Sequence, residues 1–274
     1  MVARKSARKR IAFVGGGNMA NALLRGLIET GSSPRDVTVA EPVAAKRAHL
    51  KRRHRVATTD SNSDAVSRAD IVILAVKPQI IGEVLASIRT AVAPRHLVVS
   101  IAAGVKLRRI ESALGSGARV VRVMPNTPAL VGRGATVMCA GSSARKADVS
   151  AARAIFTAVG TVEVVDDERL MDAVTALSGS GPAYVYRFAE ALVDAGARCG
   201  LAKDLAEQLA YETIAGAAEM LIRTGESPRA LREAVSSPGG TTLAGLAALD
   251  DGGFYDAVVA GVTAAKRRSE ELGK

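Results

Sequence analysis

Over the first 165 residues, two patterns of apolar and polar residues alternate along the chain. Short, mainly apolar segments are separated by stretches in which apolar residues recur about every three or four positions, as on one face of a helix. An unbroken apolar run such as Ile71 to Val76 is typical of a strand buried on both faces. Strands alternating with helices predict a doubly wound parallel sheet with right-handed crossovers. The predicted strands are Ile11 to Val14, Val37 to Ala40, Ile71 to Val76, Leu97 to Ile101, Arg119 to Met124, Gly134 to Ala140 and Gly160 to Val165.

The pattern changes after Asp166, where helical periodicity continues without any run that predicts a strand. We therefore expect an α/β chain with an N-terminal Rossmann-type domain over residues 1–165. An all-helical domain should follow over residues 166–274. The predicted helices of this second part are Glu168 to Leu177, Pro182 to Ala197, Lys203 to Thr224, Ser227 to Val235, Leu243 to Leu249 and Phe254 to Leu272.

A glycine-rich turn, Gly15 to Ala20, follows the first predicted strand and matches the pattern G-x-G-x-x-A. In that pattern the first glycine makes the tight turn, and the second lets a pyrophosphate approach the backbone. The helix that starts here offers unpaired N–H groups and the positive end of its dipole. A turn between any strand and helix is the alternative. The flanking elements, together with Glu41 at the expected ribose position, favour a dinucleotide site.

Two further strand ends carry residues suited to a ligand. Lys77 follows a central apolar run, and the small residues Ala102, Ala103 and Gly104 would let a flat ring lie against the backbone. The carboxyl ends of strands in an open α/β sheet are where ligands bind. A lysine that merely caps a helix is the alternative for Lys77, and we favour the cofactor site.

The segment Ser236 to Thr242 stands out in the helical part, because it consists of seven consecutive small or turn-forming residues. Paired glycines free the backbone, and two hydroxyl groups stand at the start of the next helix. This arrangement predicts an anion-binding helix N-terminus. An ordinary helix connection with capping hydroxyls is the alternative, but it needs fewer such residues.

Composition narrows the choice of partners. The net charge of +10 includes a basic stretch in residues 1–10, which we interpret as a solvated, disordered tail. With no Trp, four Tyr and four Phe, the chain lacks the stacking platforms of a nucleic-acid binder. The two isolated cysteines indicate no metal site. No segment reaches the roughly 20 apolar residues of a membrane span, so we expect a cytoplasmic protein without a membrane partner.

Several motifs together resemble pyrroline-5-carboxylate reductase, from about Ile11 to Leu272. The motifs Asp172 to Tyr184 and Ser237 to Thr242 are specific to that family. The resemblance implies NAD(P)H-dependent reduction of the cyclic imine 1-pyrroline-5-carboxylate to L-proline, the last step of proline synthesis. It also implies a helical domain that interleaves with a partner in a homodimer, with dimers often assembled into decamers, as a pentamer of dimers. The motifs are Gly15 to Ala20, Ala75 to Pro78, Ser100 to Gly104, Met124 to Pro128, Asp172 to Tyr184 and Ser237 to Thr242.

The resemblance also implies roles for individual residues. Ser237, Gly240 and Thr241 would bind the substrate carboxylate, and Thr242 would hydrogen-bond the ring nitrogen. Glu168 matches an acidic residue near the proline site. Some relatives carry an acidic residue where this chain has Gly225, and whether Glu226 substitutes for it stays open. The residues implied to hold the cofactor are Gly15, Gly16, Gly17, Asn18, Met19, Ala20, Asn62, Ala75, Val76, Lys77, Pro78, Ala102, Ala103 and Gly104.

The chemistry agrees with these residues. A protonated imine already carries its proton, so hydride addition needs positioning more than acid–base groups, and the three histidines fall outside the motifs. The rivals are a related imine or β-hydroxyacid dehydrogenase and a non-catalytic NAD(P)-binding protein.

For the cofactor, Glu41 favours NADH, whereas Lys46, Arg47, Arg55 and the resemblance favour NADPH. Taking Glu41 as an exposed carboxylate that can swing away, we expect both cofactors to work, with a modest preference for NADPH.

Overall fold

The computed structural model describes residues 9–273. The predicted disordered tail falls mostly on residues 1–8, which lie outside the described residues. Of the remainder, Arg10 donates its backbone N–H to the carboxylate of Asp70 at 2.8 Å, next to the first strand.

An eight-stranded sheet with the order β3-β2-β1-β4-β5-β6-β7-β8 confirms the predicted α/β class. The neighbours are parallel except β6 and β7, which are antiparallel, so the sheet is mostly rather than wholly parallel. The short edge strand β3 was not predicted, because its polar residues suggest a turn. The strands are β1 (Ile11–Val14), β2 (Val37–Ala40), β3 (Ala57–Thr59), β4 (Ile71–Leu74), β5 (Leu97–Ser100), β6 (Arg119–Met124), β7 (Gly134–Ala140) and β8 (Gly160–Val165).

Helices cover both faces of the sheet, because alternate residues of each buried strand point to opposite sides. Phe13 of β1 lies in one apolar core, and Val14 lies in the other. The helices are α1 (Asn18–Glu29), α2 (Ala44–His54), α3 (Asn62–Ser67), α4 (Ile81–Ile88), α5 (Leu107–Leu114), α6 (Lys146–Thr157) and α7 (Leu170–Val174). The first core receives α1, α2 and α6, and the second receives α3, α4 and α5.

The segment after α7 differs from its prediction. We expected a helix to Leu177 and then a turn, whereas Thr175–Gly179 forms a π-helical turn that leads into the next helix. The hydroxyls of Thr175 and Ser178 donate to backbone carbonyls four residues earlier, at 2.8 and 3.1 Å. Such single π turns are frequent at functional sites.

The chain divides into two compact units. One comprises the residues up to Ser180 together with those from Ala265 on, and the other is Gly181–Ala264. Neither unit begins or ends at residue 166, and the domain boundary predicted there stays a prediction. The remaining helices are α8 (Gly181–Arg198), α9 (Lys203–Thr224), α10 (Pro228–Ala234), α11 (Thr241–Asp251) and α12 (Phe254–Leu272).

Within the second unit, α8 and α9 pack on each other around a small core of Val193, Ala206 and Ala210. Many large apolar side chains of the same helices stay exposed, among them Tyr186, Leu209 and Ile222. The last turns of α12 belong to the first unit, where Ser269 donates a buried hydrogen bond of 2.7 Å to Asp172 of α7. Within the described part of the chain, none of the helices is long and apolar enough to cross a membrane.

Candidate cofactor and substrate site

The glycine turn joins β1 to α1, and its first glycine, Gly15, is sterically required. Gly15 has a φ of +100° and donates its N–H to the carbonyl of Ala40 at 2.8 Å. A Cβ atom there would collide with the carbonyl oxygen of Ala75, and one at Gly16 would lie 2.6 Å from Cδ1 of Leu50. At Gly17, by contrast, a Cβ would meet nothing within 4 Å. The turn is closed against the sheet at Gly15 and open at Gly17.

The open side of the turn presents backbone donors. Gly17 is the N-cap of α1, which begins at Asn18, three residues earlier than the sequence pattern suggests. Among the described residues, the N–H groups of Gly17, Asn18 and Met19 have no hydrogen-bond partner. Unpaired amides at the positive end of a helix dipole suit an anion. The turn therefore fits a pyrophosphate through backbone contacts alone.

Glu41 is placed at this turn but not as an exposed carboxylate. It is only 6% exposed, and its Oε2 accepts the N–H of Gly16 at 3.0 Å. Its Oε1 accepts the N–H of Val43 at 3.1 Å. The expectation that this group can swing away is wrong, because two backbone donors hold it at the end of β2. A fixed, poorly hydrated charge is screened less than an exposed one.

The three basic residues considered for a 2′-phosphate differ in position. Arg47 donates to the carbonyls of Glu41 and Pro42, each at 2.8 Å, and pairs with Asp60 at 3.6 Å. Arg55 follows the last residue of α2, roughly 15 Å along the helix from its start. Lys46 lies in the first turn of α2. It lines a cavity of about 480 Å³ together with Gly16 and Gly17. Of the three, only Lys46 borders the glycine turn without a partner of its own.

The other predicted cofactor residues stand at the same edge of the sheet. Ala75, Val76, Lys77 and Pro78 follow β4, which lies beside β1, and Ala102, Ala103 and Gly104 follow the neighbouring β5. Ala75 donates its N–H to the carbonyl of Val14 at 2.8 Å. Asn62 begins α3, and its amide donates to Ser87 at 3.0 Å. The tertiary structure thus brings the predicted cofactor residues of the first unit to one sheet edge.

Glu168 also belongs to the first unit. Its Oε1 accepts the N–H of Leu107, the first residue of α5, at 2.7 Å and an N–H of the guanidinium of Arg122 at 2.8 Å. The Arg122 side chain is only 3% exposed and that of Glu168 is 27% exposed. One carboxylate oxygen therefore holds the start of the helix that follows Ala102 to Gly104, and the other accepts no hydrogen bond from residues 9–273.

The predicted substrate segment lies in the second unit. Gly239 has a φ of +70°, and Gly240 donates its N–H to the carbonyl of Ser237 at 3.0 Å. Gly240 is also the N-cap of α11, without a side-chain cap. A Cβ at Gly240 would collide with Oγ of Ser237. The hydroxyls of Ser237, Thr241 and Thr242 have no hydrogen-bond partner within the described residues, so a ring of donors surrounds the N-terminus of an eleven-residue helix.

Two polar contacts near these positions were not predicted from the sequence, one made by Asn126 and the other between Asn21 and His54. Asn126, after β6, donates to the carbonyl of Ser178 at 3.1 Å and accepts the N–H of Ala135 at 2.9 Å. It therefore links the π-helical turn to β7. The side chain of Asn21 in α1 hydrogen-bonds that of His54 in α2 at 3.0 Å, although the histidines lie outside the predicted motifs. The Met124-to-Pro128 motif could have indicated Asn126, whereas no sequence pattern pairs residues 21 and 54.

The chain is similar to known proteins along nearly its whole length. Residues 168–272 match the family model described as pyrroline-5-carboxylate reductase dimerisation. Residues 10–104 match one described as NADP oxidoreductase coenzyme F420-dependent. A pyrroline-5-carboxylate reductase from Synechocystis sp. is 45% identical, with 97% of this chain and 98% of that protein covered. The chain belongs to the pyrroline-5-carboxylate reductase family.

Solved structures of pyrroline-5-carboxylate reductases agree over almost the whole length. One from Coxiella burnetii is 39% identical with a TM-score of 0.92, and 97% of this chain and 99% of that chain are covered. One from Plasmodium falciparum, described with NADP bound, is 33% identical with a TM-score of 0.88, and covers 97% of this chain and 98% of its own. The chain is therefore an NAD(P)-dependent oxidoreductase of this family with its dimerisation domain.

Proposed function

We propose that this protein reduces 1-pyrroline-5-carboxylate to L-proline with a hydride from NAD(P)H. The observation that carries the proposal is the unpaired donor set at the start of α11, in a chain that matches reductases of this name along nearly its whole length. This substrate presents one carboxylate, with two oxygen atoms that accept hydrogen bonds, and one ring nitrogen. The glycine turn supports the cofactor half of the proposal.

The cofactor residues of the first unit position the nucleotide. The free amides of Gly17, Asn18 and Met19 bind the pyrophosphate, and Ala102 to Gly104 offer a flat backbone surface for the nicotinamide. When bound, the reduced nicotinamide supplies a hydride. The residues of this chain bind and orient the nucleotide, and close approach of about 3–3.5 Å between reacting atoms is what such orientation has to achieve.

The segment before α11 holds the imine. The Ser237 hydroxyl and the backbone N–H of Thr241 are assigned to the substrate carboxylate, together with Gly240, whose N–H also donates to the carbonyl of Ser237. The hydroxyl oxygen of Thr242 accepts the N–H of the protonated ring nitrogen. Hydride addition to the C=N carbon moves the π electrons onto nitrogen, which already carries one proton and becomes the amine of proline. The reaction therefore consumes one hydride, which adds to carbon, and one proton, which is already on nitrogen, so no side chain has to donate a proton during hydride transfer.

Glu168 is assigned to the substrate side only through its free oxygen. The other oxygen holds Leu107 and Arg122, so removal of this carboxylate would also loosen the start of α5. We therefore expect Glu168 to affect both the nicotinamide loop and the substrate.

Both nucleotides serve in this proposal, and NADPH is preferred modestly. Lys46 borders the glycine turn and is available to a 2′-phosphate, and the Plasmodium relative is described with NADP. The buried charge of Glu41 opposes that phosphate more strongly than an exposed carboxylate would, so the preference is narrow.

The assembly and location are part of the same proposal. The exposed apolar side chains of α8 and α9 and the matched dimerisation model support a homodimer, and the resemblance to the family supports a decamer of five dimers. We place the enzyme in the cytoplasm and assign it no nucleic-acid, metal or membrane partner.

The test is a spectrophotometric assay of NADPH and NADH oxidation by purified protein with pyrroline-5-carboxylate. A linear imine and a β-hydroxyacid's oxo form serve as rival substrates. Turnover with pyrroline-5-carboxylate alone supports the proposal. Faster turnover of either rival, or nucleotide binding without any turnover, would replace it with a related dehydrogenase or a non-catalytic binding protein.

A further inference from the structure

A partly buried side-chain pair joins α1 and α2 beside the glycine turn, and Asn21 lines the same cavity as Gly16 and Gly17. The amide nitrogen of Asn21 lies 3.1 Å from the carbonyl oxygen of Gly16 and 3.0 Å from that of Gly17. Its other end, Oδ1, lies 3.0 Å from Nε2 of His54, which is 5% exposed. Nothing in the reaction described above uses His54.

The donors and acceptors of this pair are fixed by chemistry. Two carbonyl oxygens can only accept, so the Asn21 group that faces them is the NH₂, and its oxygen faces the imidazole. The oxygen has no proton, so Nε2 of His54 carries one and donates it. If the amide of Asn21 were rotated by half a turn, its oxygen would face two carbonyl oxygens and the hydrogen bonds would be lost.

This orientation has a consequence for the ligand side of the turn. In a trans peptide the carbonyl of one residue points opposite to the N–H of the next. The Asn21 side chain holds the carbonyl of Gly16, and its side chain and its own backbone N–H both hold the carbonyl of Gly17 on the helix side. The N–H groups of Gly17 and Asn18 therefore point the other way. Those two are among the unpaired amides assigned to the pyrophosphate.

We propose that Asn21 and His54 are a positioning pair for the cofactor, in which Asn21 aims the two pyrophosphate-binding amides and His54 acts through Asn21 by fixing its amide orientation. The proposal rests on the placement of the pyrophosphate at the glycine turn. It assigns a role to a side chain far from the reacting atoms. Because the pyrophosphate is common to NADH and NADPH, the pair affects both nucleotides equally.

Burial and the charges around His54 favour its neutral form. Arg53 and His49 on its own helix and Arg25 on α1 lower its pKa, after the larger effect of burial. Glu29 of α1 and Arg55 line the same small cavity as His54. Both the neutral form with a proton on Nε2 and the charged form donate to Asn21, so the pair does not depend on protonation within the neutral range.

The test measures the equilibrium Kd of NADPH and of NADH, without imine, for four variants. His54→Leu removes the donor, His54→Gln keeps an N–H, Asn21→Ala removes the amide, and the double variant carries Asn21→Ala and His54→Leu. We expect His54→Leu and Asn21→Ala each to raise both Kd values about 5- to 20-fold, as for loss of a hydrogen bond that orients the binding groups. His54→Gln should restore most of the affinity. The double variant should match Asn21→Ala, because His54 acts only through it.

His96→Leu is the matched control. His96 is also a buried histidine of the first unit, but it precedes β5 at the amino end of the strand, away from the glycine turn. It should lower the melting temperature without changing either Kd. If His54→Leu does not fold, Asn21→Ala still tests the pair, because alanine favours the helix and this variant should fold.

Unchanged Kd values in the single variants, additive losses in the double variant, or a loss for NADPH alone would each overturn the pair's role. Failure of the proposed function would give a different result. The wild-type protein would not reduce the imine, whereas the Kd values of the variants would still show the expected pattern.

Discussion

Oε2 of Glu41 accepts the backbone N–H of Gly16 at 3.0 Å, which ties the end of β2 to the turn after β1. These residues are neighbours because β1 and β2 are parallel and adjacent, so both strands end at the same edge. One carboxylate therefore shapes the glycine turn and also stands where a ribose is expected. Substitutions at Glu41 must change both properties.

Glu41→Ser should shift the ratio of kcat/KM further toward NADPH, by about 3- to 20-fold, because it removes a fixed negative charge near the 2′-phosphate. It should also lower kcat/KM for both nucleotides, since Gly16 loses its acceptor. Glu41→Gln removes the charge but keeps an acceptor, and should shift the ratio with a smaller loss. Steady-state kinetics with both nucleotides decide this. A shift toward NADH would show that Glu41 does not face the ribose.

Gly17→Val should abolish nucleotide binding and leave the protein folded. A side chain at Gly17 meets no protein atom within 4 Å and its φ of −73° is ordinary, so it would project into the space assigned to the pyrophosphate. Gly15→Ala is the contrast, because its Cβ would collide with the backbone of Ala75 at a φ of +100°. It should lower the melting temperature first. Circular dichroism and nucleotide titration separate the two, and normal affinity in folded Gly17→Val would remove the turn from the site.

Thr242→Ala should lower kcat/KM for the imine by about 10- to 1000-fold, as for loss of one hydrogen bond to the reacting group. The Kd of NADPH should stay the same. Thr263→Ala is the control, because that hydroxyl donates only to the carbonyl of Val259 in its own exposed helix. If both variants retain wild-type kcat/KM, Thr242 has no part in the reaction.

Acid should destabilise the first unit through its two buried histidines. Burial is the main cause that lowers the pKa of both His54 and His96 from 6.5. The unfolded chain therefore binds more protons than the folded one, and the free energy of unfolding falls as pH drops below 6.5 toward the folded pKa values. His96 has a further reason, since its Nδ1 accepts the N–H of Ala93 at 2.7 Å and protonation would break that bond.

Urea unfolding of His96→Gln and wild type between about pH 5 and pH 7.5 checks this. The variant should be less stable at the upper limit and lose less stability toward the lower one. Parallel pH profiles for the two proteins would show that His96 does not contribute.

The second unit should be stable only in an oligomer. Its own apolar core is small, while Tyr186, Leu209 and Ile222 are 59%, 49% and 71% exposed. Exposed apolar surface of this kind marks an interaction site. Sedimentation at micromolar concentration should give a dimer or a multiple of it, and a stable monomer would contradict the homodimer.

Much of this protein was predictable because local rules dominate there. Apolar segments indicate strands, most clearly in the unbroken runs of β1 and β4, and seven of the eight strands were predicted from them. Only a residue without Cβ can adopt the backbone of Gly15 against Ala75, so the glycine turn was recognisable too. The bounds of α12 follow from its period alone. The short strand β3 was missed, because an exposed alanine and two half-buried threonines become a strand only by pairing with β2.

Side-chain orientation was decided by the tertiary structure alone. The sequence places Glu41 after β2 but does not show that Gly16 and Val43 hold its carboxylate in a buried position. It lists Lys46, Arg47 and Arg55 as equivalent cations, whereas Arg47 is bound to carbonyls and Arg55 lies beyond the far end of α2. Asn21 and His54 are 33 residues apart and meet only because α1 and α2 pack side by side. Local pattern fixes which elements form, and packing between distant elements fixes what each polar side chain touches.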